Sequence, residues 1–176
     1  MKLLITSTNL RPGSRTLTVA LGAADAAVRH GFEPEVLDLA GVALPPCDGA
    51  TCYQDPTVIE VTAKVAAAAA VWFCSPVYNY QLNSAAKQFV ELTNSAWEDK
   101  IVACVANAGG KSSFMAWLSL ANCLLVDHHC HLVPRHVYLT PENFQEDGLP
   151  DADCLQRMDD LAAQTARLAR GLTAFP

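Results

Sequence analysis

The sequence contains no hydrophobic run long enough to cross a membrane. Its longest apolar stretch, from Val65 to Cys74, has ten residues, whereas a bilayer-spanning helix needs about twenty. The amino-terminal apolar stretch ends after a few residues, where Thr6 and Ser7 follow, and is too short for the core of a signal peptide. We therefore expect no membrane partner, no export and a cytoplasmic location.

The sequence has few charged residues, and fewer of them are basic than acidic. Charged residues make up 17% of the chain, and 12 Lys and Arg against 18 Asp and Glu give a formal net charge of −6. This sign is wrong for holding a nucleic-acid backbone by bulk electrostatics. We expect no nucleic-acid partner, and any anionic ligand has to be captured by local groups.

The common phosphate-binding motifs are also missing. A dinucleotide fingerprint needs several glycines in the first loop, which has only Gly13. The run Gly110-Lys111-Ser112 resembles the end of a Walker loop, but Val105 stands where its first glycine is required. A cysteine phosphatase would need Cys six residues before Arg11, where the chain has Ile5. These three classes of phosphate site are excluded.

Seven cysteines are present, without a CxxC pair. An odd count, in a chain too long to need disulfides, favours reduced thiols. Cys123 and the His-His-Cys-His cluster at 128–131 are potential metal ligands, as are Cys47 and Cys52. Consecutive residues entering a strand point to opposite faces, however, so at most two of residues 129–131 can share one ion. We predict no metal site, and the histidines can equally lie at a subunit contact.

The chain does have ample apolar surface to bury. Hydrophobic residues make up 51% of its 176 residues and the mean hydropathy is +0.17, which excludes a disordered protein. The length predicts a single domain over residues 1–176. A domain of this size buries roughly 70% of the surface of its unfolded chain.

Short apolar runs alternate with helical patterns along the chain. Because the runs read as continuously apolar, they predict a parallel sheet covered by helices on both faces, a doubly wound α/β fold. The five predicted strands are at 3–5, 34–39, 69–75, 101–107 and 133–139. The predicted helices are at 17–28, from 55 onward, from 84 through 94, from about 112 to 125, and at 151–170.

In such a sheet, ligands bind beyond the carboxyl ends of the strands. The first loop there, 7–16, carries Asn9, Arg11, Ser14 and Thr16 around Pro12-Gly13 at the start of a helix. Hydroxyls, a guanidinium and helix N-terminal N–H groups suit a phosphate without a metal. The alternative interpretation is a capping residue followed by a solvated turn.

Two further loops reach the same edge. The second, 75–83, places Tyr78 and Tyr80 among amide side chains, an arrangement that suits a flat heterocycle with polar edges. The third, 107–110, ends in Gly109-Gly110, where bare backbone lets a ligand approach closely. Each loop taken alone can also be an ordinary turn.

The chain resembles the flavodoxin-like NAD(P)H-dependent FMN reductases from residue 3 to about residue 139. The family's phosphate loop, roughly G-S-x-R-x-G-S-x-N, aligns with residues 8–16, and its signature P-E-Y-N-x-S-x-P-x-x-L-K-N aligns with residues 76–88. The departures are Thr8 and Asn9 for Gly and Ser, Thr16 for Asn, Val77 for Glu, Tyr80 for Gly, Asn83 for Pro, and Ser113-Phe114 for a second glycine pair.

The resemblance implies a flavodoxin-like five-stranded sheet with strand order 2-1-3-4-5 in three α/β/α layers. It also implies FMN as cofactor and NADPH or NADH as co-substrate. The residues implied to bind the cofactor are Asn9, Arg11, Ser14, Arg15, Thr16, Pro76, Val77, Tyr78, Asn79, Asn107, Ala108, Gly109 and Gly110. We expect the departures near Tyr80 and Ser113 to affect nicotinamide more than FMN.

The implied activity is hydride transfer from NAD(P)H through FMN to a small acceptor, such as a quinone, free flavin or azo compound. The cofactor carries this chemistry, so we name no catalytic side chain. The alternative is a non-enzymatic FMN electron carrier, a class that is usually more acidic than this chain. A homodimer or homotetramer is expected, because Trp117, Leu118 and Leu124 are more apolar surface than a solvated helix needs.

Overall fold

The computed structural model describes residues 1–174. The described residues form seven strands and five α-helices, with one α-helix after each strand or consecutive pair of strands. The strands are β1 (Lys2–Ser7), β2 (Glu33–Asp38), β3 (Ala70–Tyr78), β4 (Gln81–Leu82), β5 (Ile101–Asn107), β6 (His131–Leu132) and β7 (Val137–Leu139). The helices are α1 (Arg15–Arg29), α2 (Pro56–Ala67), α3 (Ser84–Thr93), α4 (Leu118–Val126) and α5 (Ala152–Ala174).

The sheet has the order β2-β1-β3-β5, with β6 and β7 both alongside β5. All of these pairings are parallel, and the short β4 runs antiparallel against the end of β3. Counting β6 and β7 as one position gives the predicted order 2-1-3-4-5. The predicted doubly wound parallel sheet is therefore confirmed.

The single strand predicted at 133–139 is wrong. The structure pairs β6 with residues 101–102 and β7 with residues 105–107, leaving a gap between them. Pro134 lies in this gap, and proline has no N–H to donate to a ladder. The last strand position is therefore shared by two short segments.

The helix predicted from about 112 is also wrong at its start. Residues 111–113 form a 3₁₀ turn and α4 begins only at Leu118. The Tyr138 hydroxyl contacts both the Gly110 carbonyl and Ser113 Oγ. These bonds hold the segment against β7, so it follows the sheet edge instead of starting a helix.

Helices cover both faces of the sheet because successive strand residues point to opposite sides. Leu3 and Ile5 pack under α1 and α5, whereas Leu4 packs under α2, α3 and α4. On the second face, the Phe73 ring stacks on Trp97 at 5.3 Å, and both are fully buried. Burying each such side chain stabilises the fold by about 1.5–3 kcal/mol.

Part of the surface expected for subunit contact lies in the core. Trp117 and Leu124 are buried beneath α4, because α4 packs on the sheet with that face. Leu118 remains half exposed, and Leu125 and Val126 are exposed beside it. Among the described residues, no helix combines the length and the apolar character that crossing a membrane requires.

Candidate functional site

Three loops meet where β1, β3 and β5 end, as the sequence predicts. The Thr8 N–H donates to the Cys74 carbonyl at 3.0 Å, which carries the β1–β3 ladder into the first loop. The Ala108 N–H donates to the Leu139 carbonyl at 2.8 Å and anchors the third loop to β7. The loops are therefore extensions of the sheet, and their positions are set by its register.

A buried polar network joins the first and second loops. The Thr8 hydroxyl lies 2.8 Å from Ser75 Oγ and 2.7 Å from Asn83 Oδ1, and Asn83 Nδ2 donates to the Thr8 carbonyl at 2.6 Å. All three side chains are buried. The Asn83 N–H also donates to the Pro76 carbonyl at 3.2 Å, a bond that a proline at this position cannot make.

The first loop presents backbone donors. Gly13 has φ +63°, a left-handed conformation that favours glycine. Ser14 caps α1 by accepting from the Leu17 N–H at 3.3 Å, and Asn9 Nδ2 donates to Thr16 Oγ1 at 3.4 Å. Among the described residues, the consecutive N–H groups of 13–16 have no acceptor. They form a cluster of unpaired donors at the positive end of α1.

The two arginines of this loop differ. Arg11 is exposed; its backbone N–H donates to Asn9 Oδ1 at 3.0 Å, and its guanidinium contacts no acceptor in the described part of the chain. Arg15 lies over the Phe144 ring, with 5.4 Å from Cζ to the ring centroid. Cation–π contact holds Arg15 beside the loop, so Arg11 is the cation left available to an anion.

The second loop is a tight hairpin turn with strained backbone. β3 and β4 pair at Val77–Leu82 and Tyr78–Gln81, so Asn79 and Tyr80 are its two central residues. Their φ values are +50° and +65°. Asn tolerates this region, but a tyrosine there is strained by about 1–3 kcal/mol. Tyr78 and Tyr80 are more than half exposed.

A cavity of about 620 Å³ opens between this hairpin and helices α3 and α4. That volume is within the usual range for small-molecule sites. Of the described residues that line it, Tyr78 and Lys87 are titratable, and Lys87 Nζ forms a 2.7 Å ion pair with Glu91 that raises the lysine pKa. The full lining is Tyr78, Asn79, Gln81, Leu82, Asn83, Ser84, Lys87, Ser119 and Leu120.

The third loop is open backbone. A Cβ built on Gly109 or Gly110 meets no heavy atom within 4 Å, and in the described structure neither N–H has an acceptor. Asn107 is half-buried at the end of β5 and Ala108 is buried behind it. The two glycines therefore present donors to the space in front of the sheet edge.

An aromatic cluster that sequence reasoning missed supports the third loop. The Phe114 ring lies 4.5 Å from the His136 ring and 5.4 Å from the Tyr138 ring, and His136 Nε2 lies 2.9 Å from the Phe114 carbonyl oxygen. Burial lowers the pKa of His136. The available signal was a histidine and a tyrosine two residues apart at the end of the last predicted strand.

The two buried thiols on the strands that lead into the site are not suited to be nucleophiles. Burial raises the pKa of both Cys74 on β3 and Cys104 on β5, and a protonated thiol is a poor nucleophile. All seven cysteines are free.

Solved structures share this fold. The chain aligns over 97% of its length with 97% of an oxidoreductase from Corynebacterium diphtheriae at 19% identity and a TM-score of 0.76. It aligns over 97% with 97% of the flavoenzyme NAD(P)H:(acceptor) oxidoreductase FerB from Paracoccus denitrificans at 16% identity and a TM-score of 0.78. It also aligns over 95% with 89% of an apo NADH:FMN oxidoreductase, EMOB, at 13% identity and a TM-score of 0.77.

At these sequence identities, the structural neighbours establish only the fold. No curated protein sequence matches the chain. A family profile described as NADPH-dependent FMN reductase matches residues 1–145, a span that contains all three loops and the cavity lining. The chain therefore belongs to the NADPH-dependent FMN reductase family.

Proposed function

We propose that the protein is an FMN-dependent oxidoreductase that moves hydride from NADPH or NADH to a small acceptor. The observation that carries this proposal is the unpaired N–H cluster at residues 13–16, beside the unpaired Arg11, at the same sheet edge as the cavity and the open glycine backbone. FMN has an anionic phosphate and a flat ring. It therefore needs a site for an anion and an open cavity for the ring next to each other.

The first loop is proposed to hold the FMN phosphate. The N–H groups of 13–16 are oriented by the α1 cap, so they donate to an anion without reorganising. Arg11 adds a charge-assisted bond. The hydroxyls of Ser14 and Thr16 already serve the cap and Asn9, and each keeps its own O–H to donate. Asn9 and Arg15 act mainly by fixing the loop.

The second and third loops are proposed to hold the ribityl chain and ring. Pro76 and Val77 form the floor at the end of β3, Tyr78 and Asn79 the side, and residues 107–110 the far edge. FMN, when bound, supplies two-electron hydride chemistry. The chain's part is to position the ring and to direct the N–H groups of Gly109 and Gly110 at its polar edge, where preorganised donors stabilise developing negative charge.

The proposed acceptor is a small planar oxidant such as a quinone, free flavin or azo compound. Nicotinamide and acceptor would use the same face in turn, at the cavity beside the hairpin. Tyr78 and Tyr80, both exposed at this rim, offer aromatic surface for stacking either molecule.

The experiment is the visible spectrum of the purified protein, reconstituted with FMN if colourless. We expect flavin bands that dithionite bleaches and that NADPH also bleaches without oxygen. Protein that cannot be reconstituted would refute FMN binding. Protein that binds FMN but shows no NADPH or NADH oxidation with a quinone or free FMN would instead favour the electron-carrier alternative.

We further propose that the chain assembles with copies of itself. Val126 is 72% exposed and Leu125 is 50% exposed at the end of α4, next to the half-exposed Leu118. Light scattering on the wild-type protein should give a multiple of 18.9 kDa, and Val126→Glu should lower it. A wild-type monomer at micromolar concentration would refute this assembly.

A further inference from the structure

A second cavity, of about 230 Å³, lies farther along the groove between α3 and α4. Cys123 and Asp127 are one helical turn apart at the end of α4, and His128 follows directly. Their ligand atoms all lie within 4.8 Å of one another. A thiol, an imidazole and a carboxylate thus converge on one space.

The imidazole of His128 makes no hydrogen bond to the described residues. The residue is 7% exposed, and its Nε2 lies 3.6 Å from Asp127 Oδ2, beyond hydrogen-bonding distance. Buried polar groups without a partner are uncommon, since each forfeits its bonds to water. The His128 side chain lines the cavity, so an ion bound there can supply the partner that the described residues do not.

The charges around this cavity favour a cation. The Lys87 ammonium faces it but is paired with the Glu91 carboxylate at 2.7 Å, so that pair adds little net charge. The carboxylate of Asp127 remains, together with the thiol of Cys123. The carbonyl end of α4 adds partial negative charge at the same place.

We propose that Cys123, Asp127 and His128 bind a divalent cation of the zinc type. Mixed sulfur, nitrogen and oxygen ligands select such ions over Mg²⁺ and Ca²⁺. Binding releases the thiol proton to solvent, and water completes the four ligands. In a tetrahedral site, ligand atoms lie about 3.5 Å apart. His128 Nε2 and Asp127 Oδ2 are already 3.6 Å apart, so binding needs a closure of about 1 Å only toward Cys123.

The sequence predicts no metal site because side chains at 129–131 alternate along a strand and no CxxC pair is present. That alternation is present: Cys130 is buried, with Sγ 3.1 Å from the Trp97 carbonyl oxygen, and His129 is exposed. The proposed ligands come instead from helical i, i+4 spacing plus the next residue. All three proposed ligands precede His129 in the sequence, whereas strand β6 follows it.

Cobalt(II) is the probe, because a thiolate ligand gives a charge-transfer band that difference spectra resolve beside a flavin. We expect the chelator-treated wild-type protein to bind one equivalent of Co²⁺, which one equivalent of Zn²⁺ displaces. Cys123→Ser should lose the band. Asp127→Asn, at an exposed side chain that the fold does not need, should weaken binding at least about tenfold, or about 1.4 kcal/mol.

Two matched variants serve as controls. Cys47→Ser removes a thiol that lines the same cavity but lies outside the cluster, and His129→Gln removes the histidine of the exposed Glu98–Asp99–His129 group, where Nδ1 is 2.9 Å from Glu98. Both should bind Co²⁺ as the wild type does. The absence of a one-equivalent band, or binding that survives Cys123→Ser and Asp127→Asn, would overturn the proposal.

Discussion

The Tyr80 hydroxyl lies 3.4 Å from Ser112 Oγ. One aromatic ring therefore spans the gap between the hairpin after β3 and the loop after β5. Tyr80 keeps this position at the cost of a left-handed backbone, and 66% of its surface remains exposed. Because the ring joins the two loops that are proposed to hold the flavin ring, we expect it to restrict what can approach that site.

Replacing Tyr80 should therefore change acceptor size selection. In Tyr80→Gly the strained φ is relieved and the bridge disappears, so kcat/KM for a bulky quinone should rise about three- to tenfold relative to a small one, a change of about 1 kcal/mol. Steady-state kinetics with a graded quinone series measures this. Tyr80→Phe keeps the ring and loses only the Ser112 contact, so it should resemble the wild type. If the ratio of kcat/KM for bulky and small quinones is unchanged in Tyr80→Gly, the Tyr80 ring does not control access to the site.

Substitutions at Arg11 and Ser14 should distinguish an effect on FMN affinity from an effect on folding stability. The Arg11 guanidinium has no partner in the described chain, and its backbone N–H bond to Asn9 Oδ1 survives the substitution. Arg11→Ala should therefore leave the urea midpoint unchanged and weaken FMN binding by about 1–3 kcal/mol through the lost charge-assisted bond. Ser14 caps α1, so Ser14→Ala should cost about 1 kcal/mol of stability as well. Fluorescence titration with FMN and urea unfolding measure the two effects. Equal FMN affinity in all three proteins would place the phosphate elsewhere.

The sheet and the three loops could be predicted because their signals are local. Continuous apolar runs such as the one around Trp72 mark buried parallel strands, and the chain's polar residues cluster where those strands end. The division of the last strand was also readable, since Pro134 interrupts the run at 133–139.

The contacts that complete the site could not be predicted, because they depend on the folded register. Thr8, Ser75 and Asn83 are brought together only when β1 and β3 pair. The Tyr80–Ser112 bridge and the Phe114–His136 contact likewise join loops distant in sequence. Contacts between side chains of different loops at a sheet edge produce no periodic pattern in the sequence.

The buried network of Thr8, Ser75 and Asn83 should contribute strongly to the free energy of unfolding. Asn83→Leu removes the amide that accepts from two hydroxyls and donates to the Thr8 carbonyl, so the free energy of unfolding should fall by about 1–3 kcal/mol. Gln81→Ala, two residues away at an exposed position, should change it by less than about 0.5 kcal/mol. Urea unfolding monitored by circular dichroism compares them. Equal stabilities for the two variants would contradict the network's role.

His136 should make stability depend on pH. Burial lowers its pKa below the ordinary value of 6.5, so the unfolded chain binds this proton more readily than the folded one. The folded state is then favoured above about pH 6.5 and loses that advantage as the pH falls through the lowered folded pKa. The direction is a weakening of the fold on acidification.

A non-titrating variant isolates this contribution from other acid-sensitive groups, such as the Asp159 carboxylate, whose pKa is lowered by His30 and Arg29. His136→Gln keeps a donor toward the Phe114 carbonyl but has no proton to gain. Urea midpoints measured at several pH values between 7.5 and 4.5 should fall more steeply in the wild type than in His136→Gln. Because the other groups are common to both proteins, parallel curves would mean that His136 titrates alike in the folded and unfolded chains.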